Sequence, residues 1–210
     1  MPAFDPAFQA QLRELLRLRR DVRRFRTDPL PEGLLLELLE AAHHAPSVGL
    51  SQPWRFVQVE DPGHRQAVIQ EFERANQEAA RIYDGEQAEQ YLALKLAGLR
   101  EAPVHLLVCV ETDPEHGHGL GRQTQPETLR ASTVCAIQNL WLTARAKGVG
   151  VGWVSILEPA RLAPVLDLPA SWDWVAYLCI GWPQQEPEIP ELERLKWDHR
   201  TPLADHLLKR

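Results

Sequence analysis

The sequence predicts an α+β domain, and three observations carry that reading. Apolar residues recur at helical spacing in several segments, near-continuous apolar runs of strand length lie between them, and no internal repeat or linker divides the chain. With 210 residues, 44% of them hydrophobic and 25% charged, the chain can bury its apolar surface without staples. Residues 1–210 are therefore expected to form one domain.

Each element has a local reason. Residues 8–20 read as a helix, with Phe8, Leu12, Leu15 and Leu16 on one stripe. Residues 32–44 read as a second, with Pro31 at its start, Leu34, Leu35, Leu38, Leu39 and Ala42 at helical spacing, and Pro46 beyond its end. A short strand is expected at 55–60, around Phe56, Val57 and Val59, before Pro62 and Gly63 open a helix to about residue 80. Residues 81–101 are helical but broken at Asp84-Gly85, which suits either a lid over a pocket or a peripheral helix. The apolar run 104–110 reads as a buried strand, and 112–126 as a loop rich in Gly, Pro, His and Gln.

The helix at 127–147 is the clearest, with Val134, Ile137, Leu140, Trp141 and Ala144 on one face and Gly148 at its end. Strands at 151–157 and 174–182 follow, separated by a short helix near 159–166. From Pro183 to the end the chain is proline-rich, charged and too poor in apolar residues to fold alone, so it reads as an arm that wraps a partner subunit.

Composition excludes several classes. A formal net charge of −6 argues against nucleic-acid binding. Cys109, Cys135 and Cys179 lie far apart in apolar runs, form no C-x-x-C pair and read as reduced, buried thiols. The opening Met1-Pro2-Ala3-Phe4-Asp5 has no leader pattern, and no apolar run has the length of a membrane span. A cytoplasmic protein without membrane contact is expected.

Two segments carry chemistry. Arg19-Arg20-Asp21-Val22-Arg23-Arg24-Phe25 gathers guanidinium groups around one carboxylate, and arginine presents a planar fork of donors suited to phosphate oxygens. Arg19 and Arg23, four apart, would share a face if the helix continued; a solvated basic helix end is the plainer account. Asp21 is either a structural partner held ionised by its arginines or a base placed against a ligand. The turn Ala45-Pro46-Ser47-Val48-Gly49-Leu50-Ser51-Gln52-Pro53-Trp54 can aim hydroxyls and N–H groups at a ligand, or simply cap a helix-to-strand connection.

Other motifs fail on context. Gly148-Val149-Gly150-Val151-Gly152 runs from helix into strand, the reverse of a dinucleotide fingerprint, and Gly117-His118-Gly119-Leu120-Gly121 lies in a loop. His116 and His118 have no third metal ligand nearby, and His43-His44 end a helix. Ser155, inside a strand, lacks a nucleophile elbow and an activating histidine, so it is either strand filling or a hydroxyl aimed at a ligand.

In this order the segments resemble the FMN-binding nitroreductase superfamily and, within it, the 5,6-dimethylbenzimidazole synthases. The resemblance rests on Arg19-Arg20-Asp21-Val22-Arg23, the Pro46-Ser47 turn ending in Gln52-Pro53-Trp54, Leu94-Lys95-Leu96-Ala97-Gly98-Leu99-Arg100-Glu101-Ala102-Pro103, and Gly152-Trp153-Val154-Ser155-Ile156-Leu157. Pro190-Glu191-Leu192-Glu193 and Trp197-Asp198-His199-Arg200-Thr201-Pro202-Leu203 extend it. It implies a nitroreductase-like fold: a mixed, mainly antiparallel sheet flanked by helices, a lid at about 81–101, and an arm at about 183–210 embracing the partner of a homodimer.

It also implies oxygen-dependent fragmentation of reduced FMN to 5,6-dimethylbenzimidazole, the lower ligand of cobalamin, and D-erythrose 4-phosphate. The FMN-binding residues implied are Arg19, Arg20, Asp21, Val22, Arg23, Ser47, Leu50, Leu96, Ser155 and Arg200, with Asp21 and Ser155 catalytic. Asp21 stands where many nitroreductases have serine. A flavin reductase would supply the reduced FMN, directly or by diffusion, with O2 as co-substrate. An NAD(P)H-dependent nitroreductase or flavin reductase, in which FMN is recycled, is the alternative implied.

Overall fold

The computed structural model describes residues 3–185 and 187–210. Met1 and Pro2, part of the segment read for a leader, and Glu186 within the arm lie outside the described residues.

Four strands form one sheet in the order β1-β2-β4-β3: β1 (Trp54–Gln58), β2 (Val104–Glu111), β3 (Gly150–Val154) and β4 (Trp172–Gly181). Every pairing among them is antiparallel. The sheet is thus antiparallel and not mixed as expected, with one isolated parallel bridge, between Asp21 and Val151, at its β3 edge. Both faces are covered. Leu106, Val108, Leu178 and Ile180 enter one core cluster, whereas Leu107, Cys109, Tyr177 and Cys179 enter the other. Alternate residues of β2 and β4 point to opposite faces and both faces are apolar, which is why these strands read as unbroken apolar runs.

The helices follow their caps. In α1 (Pro6–Leu18) the Asp5 side chain accepts from the Phe8 N–H at 2.8 Å, with Pro6 in the first turn. Packing joins α2 (Leu34–His43) to α5 (Thr128–Ala146), and together they cover the first face. Gly148, at φ 72°, ends α5 in a Schellman turn, with Val149 N–H on the Ala144 carbonyl at 2.9 Å and Gly148 N–H on that of Arg145 at 3.1 Å. On the second face lie α3 (Pro62–Ala80) and the short α6 (Pro159–Leu162), while α4 (Gly85–Ala93) occupies the lid region. A one-turn α7 (Glu191–Arg194) lies in the arm.

Several expectations change. The first helix ends at Leu18, so Arg19 and Arg23 share no helical face; residues 19–23 are extended instead. No residue of α1 is buried, because no described residue covers Phe8, Leu12 and Leu16. Val134 and Cys135 are exposed for the same reason, on the uncovered side of α5, so only Cys109 and Cys179 are buried thiols. Ser155 lies just past the end of β3 and not within it. The arm runs along its own chain first: Arg26 N–H donates to Trp182 at 2.8 Å and Gln184 N–H to Arg24 at 3.0 Å. Its last leucines, Leu203, Leu207 and Leu208, are exposed.

Candidate active site

Asp21 is placed by backbone. Its chain segment lies along the free edge of β3, with Val22 N–H donating to the Val151 carbonyl at 3.0 Å. That approach needs glycine. A Cβ on Gly152 would stand 2.1 Å from the Val22 carbonyl oxygen, and one on Gly150 would stand 2.9 Å from the Val22 side chain. The glycines that fail as a dinucleotide fingerprint therefore set the path of the carboxylate segment.

The carboxylate is held from two sides. Trp153 N–H donates to Oδ1 at 2.8 Å, and Arg23 Nε donates to Oδ2 at 2.9 Å. Protein encloses most of the side chain, and the 31% still exposed faces the cleft. Burial is the larger influence and raises the Asp21 pKa above its ordinary value, while Trp153 N–H and the Arg23 and Arg19 charges oppose it. The arginines thus do not make Asp21 a strong acid, contrary to the simple reading of the cluster, and a carboxylate of raised pKa is a better proton acceptor.

The neighbouring cations divide by task. Arg23 also donates from Nη1 to the Lys95 carbonyl at 3.3 Å, tying the carboxylate to the 94–99 segment beside half-buried Leu96. Gly98 admits Phe25 at the same seam, where a Cβ would meet the ring at 2.4 Å. Arg19 stacks over Trp141, 4.8 Å from the ring centroid, and Trp141 Nε1 donates to the Arg20 carbonyl at 3.0 Å. Arg20 spends its terminal nitrogens on the carbonyls of Arg17, Arg19 and Glu188, and its buried Nε has no partner among the described residues. Burial lowers the pKa of Arg19 and of Arg20, and Arg200, coming from the arm, lowers both further.

Two hollows, of about 290 and 60 Å³, meet at Arg20, Asp21, Arg23 and Glu191. Arg19 and Arg200 line the larger one. Crowded guanidiniums, an orphan donor and a neighbouring cleft fit a phosphorylated ligand such as FMN, whose anion would relieve the mutual repulsion.

The structure thus brings Arg19, Arg20, Asp21, Val22, Arg23 and Arg200 together, with Leu96 next in chain to the Lys95 that Arg23 contacts. Ser155, two residues beyond Trp153, has an exposed hydroxyl with no hydrogen bond among the described residues. Ser47 and Leu50 stand elsewhere. The Ser47 hydroxyl accepts from Gln52 N–H at 3.0 Å, and Val48 N–H donates to Ser132 at 3.1 Å. Ser132 and Trp141 are nine residues apart on α5, so the Ser47 turn and the Asp21 cluster are separated by roughly 13 Å along that helix. Leu50 is 68% exposed at φ 55°, an apolar side chain presented outward on a strained turn.

Sequence reasoning passed over His105 and Tyr177. Both are buried, with His105 Nδ1 and the Tyr177 hydroxyl 2.9 Å apart beneath the lid seam. A histidine inside an otherwise apolar strand was the available signal. Among the described residues no His, Cys, Asp and Glu group could hold a metal ion.

The nitroreductase family model matches residues 16–182, and the chain belongs to that family. A 5,6-dimethylbenzimidazole synthase of Rhodospirillum rubrum is 53% identical over 201 residues, 96% of this chain and 95% of the relative. One of Rhodobacter capsulatus is 45% identical over 199 residues, 95% of this chain and 96% of the relative. Among solved structures, oxidised iodotyrosine deiodinase bound to FMN and 3-iodo-L-tyrosine shares the fold with a TM-score of 0.72 at 26% identity, covering 86% of this chain and 94% of that one.

Proposed function

We propose that this chain is a 5,6-dimethylbenzimidazole synthase, acting on reduced FMN. The observation that carries the reading is Asp21, fixed by Trp153 and Arg23 at a cleft lined by Arg19 and Arg200. The identity with synthases over nearly the whole chain supports it. Reduced FMN and O2 are consumed in this reaction, and 5,6-dimethylbenzimidazole and D-erythrose 4-phosphate are released.

The residues then have distinct roles. Arg19 and Arg200 hold the phosphate, while Arg20 anchors the backbone that carries them. Val22 and Leu96 line the ligand. The Asp21 carboxylate takes a proton from a hydroxyl of the sugar chain, the step that a retro-aldol-like C–C cleavage requires. Ser155 orients the ligand or relays a proton through its free hydroxyl. The lid, pinned by Arg23 to Lys95, keeps water from the site.

A homodimer completes this reading. Phe4, Phe8, Leu12 and Leu16 recur every four residues and are 69%, 43%, 40% and 49% exposed, a stripe that a second copy would cover. A twofold partner would bring its Ser47 turn and Leu50 to the Asp21 cluster, joining the two parts separated in one chain. Residues 1–210 act as one domain, with the lid at about 81–101 and the arm at about 183–210. Among the described residues no helix is long and apolar enough to cross a membrane, and the three free cysteines suit a cytoplasmic setting. A separate flavin reductase supplies the reduced FMN.

The test is direct. Pure protein mixed anaerobically with chemically reduced FMN and then exposed to air should yield dimethylbenzimidazole by mass spectrometry. Reoxidation to intact FMN alone would refute the assignment.

A further inference from the structure

We infer that Trp197 is a positioning residue that couples the lid to the arm, so that Arg200 stands at the Asp21 cleft only while the lid is docked. It deepens the proposed function, on which it rests in taking the partner of Arg200 to be a phosphate.

Three rings make the coupling. Tyr83, just before α4, stacks on Tyr91 within α4 at 4.8 Å between centroids. Trp197 meets Tyr83 edge-on at 5.3 Å and Tyr91 at 6.1 Å. Edge-to-face and offset contacts at these distances are the favoured aromatic geometries. Tyr91 is itself buried, and its hydroxyl donates to Asn76 Oδ1 on α3 at 2.7 Å. The cluster therefore links the arm to a fixed part of the body through the lid helix.

The arm is shaped to deliver Trp197 there. At the end of α7, Trp197 N–H reaches back to the Leu192 carbonyl at 2.8 Å and Lys196 N–H to that of Glu193 at 3.1 Å, a Schellman turn with Lys196 at φ 58°. A non-glycine residue at that φ is uncommon and is maintained by the contacts around it. Arg200 follows three residues later and lines the cleft with Asp198 and His199.

Electrostatics explains why a hold is needed. Arg200 is close enough to Arg19 and Arg20 to disfavour their charged forms, so the three cations repel one another. Arg24 on Glu191 and Arg20 on the Glu188 carbonyl anchor the arm upstream, so the aromatic contact is needed for residues 197–202, where Arg200 meets that repulsion. A bound phosphate supplies the opposite charge. The ligand's phosphate and the docked lid thus favour the same arrangement.

The test uses the full chain and two flavins. In Trp197→Ala, affinity for FMN should fall about tenfold, while affinity for riboflavin, which lacks the phosphate, should stay within about twofold. Hydrogen exchange of the flavin-free protein should quicken together in 85–93 and in 197–202. Trp197→Phe should restore both readouts, and in turnover Trp197→Ala should raise KM for reduced FMN more than it lowers kcat. Tyr83→Ala reaches the same contact from the lid side and should give the same selective loss. Equal losses for FMN and riboflavin, exchange changes confined to the arm, or additive effects of Trp197→Ala and Tyr83→Ala would each overturn the coupling. Binding and exchange need no turnover. A wild-type chain that passes both yet forms no dimethylbenzimidazole would keep the coupling and lose the synthase reading.

Discussion

Arg23 stands between Asp21 and Lys95, donating from Nε to the Asp21 carboxylate at 2.9 Å and from Nη1 to the Lys95 carbonyl at 3.3 Å. One guanidinium therefore joins the Asp21 carboxylate to the 94–99 segment. Because only 13% of the side chain is exposed, little solvent competes for either bond.

Replacing Arg23 by alanine should break both connections at once. FMN should bind about ten- to a hundredfold more weakly by fluorescence titration, the scale for losing charge-assisted bonds. Hydrogen exchange across 94–99 should quicken as well. An unchanged dissociation constant would return Arg23 to a purely structural role.

Gly152 leaves no room for a side chain. Gly152→Ala places a methyl 2.1 Å from the Val22 carbonyl oxygen, so the Asp21 segment must leave the β3 edge or strain against it. A destabilisation of roughly 1–3 kcal/mol is expected, as for overpacked cores, together with weaker FMN binding. A thermal melt checks the first effect and flavin titration the second.

The same residues show what was readable from sequence. Apolar alternation on a sheet covered on both faces made the 104–110 run recognisable as a strand, and all seven of its residues are buried. The Asp21 cluster was recognisable because arginine and aspartate concentrated within a few residues are chemically distinctive. Its geometry was not. Residues 19–23 were open to a helical reading, since no local signal stops α1 at Leu18; the pairing with Val151 does, and that contact is long-range. Gly150 and Gly152 were likewise judged as a motif, when their task is to admit the Val22 backbone. The stripe of α1 carried the correct helical period, but periodicity cannot say whether a face turns to the chain's own core or to another subunit.

Acid should weaken the fold through His105. Burial, with the nearby Arg65 charge, lowers its pKa from 6.5 to about 4. The unfolded chain binds the proton near 6.5 while the folded chain resists it, so the stabilising contribution is complete above that pH. It is lost progressively as pH falls toward about 4, by roughly 3 kcal/mol in all. Melting temperatures from pH 7.5 to 4.5 check the trend. His105→Gln should lower stability at neutral pH yet flatten this acid limb.

Charge on the α1 stripe should separate the subunits. Leu12→Glu places a carboxylate at the centre of the proposed twofold contact, leaving Asp21 and Arg23 undisturbed. Light scattering should report a monomer, and FMN binding should fall with it if, as in the proposed dimer, the Ser47 turn comes from the partner. A dimer of unchanged affinity would remove α1 from the interface.

The central claim is that the Asp21 carboxylate removes the proton that allows the sugar chain to break. Asn can still accept from Trp153 N–H but cannot take up a proton. Purified wild-type and Asp21→Asn proteins, loaded anaerobically with equal amounts of reduced FMN and then given air, should differ only in product. The wild type should release 5,6-dimethylbenzimidazole and the variant should return FMN intact, whereas dimethylbenzimidazole from Asp21→Asn at the wild-type rate would contradict the account.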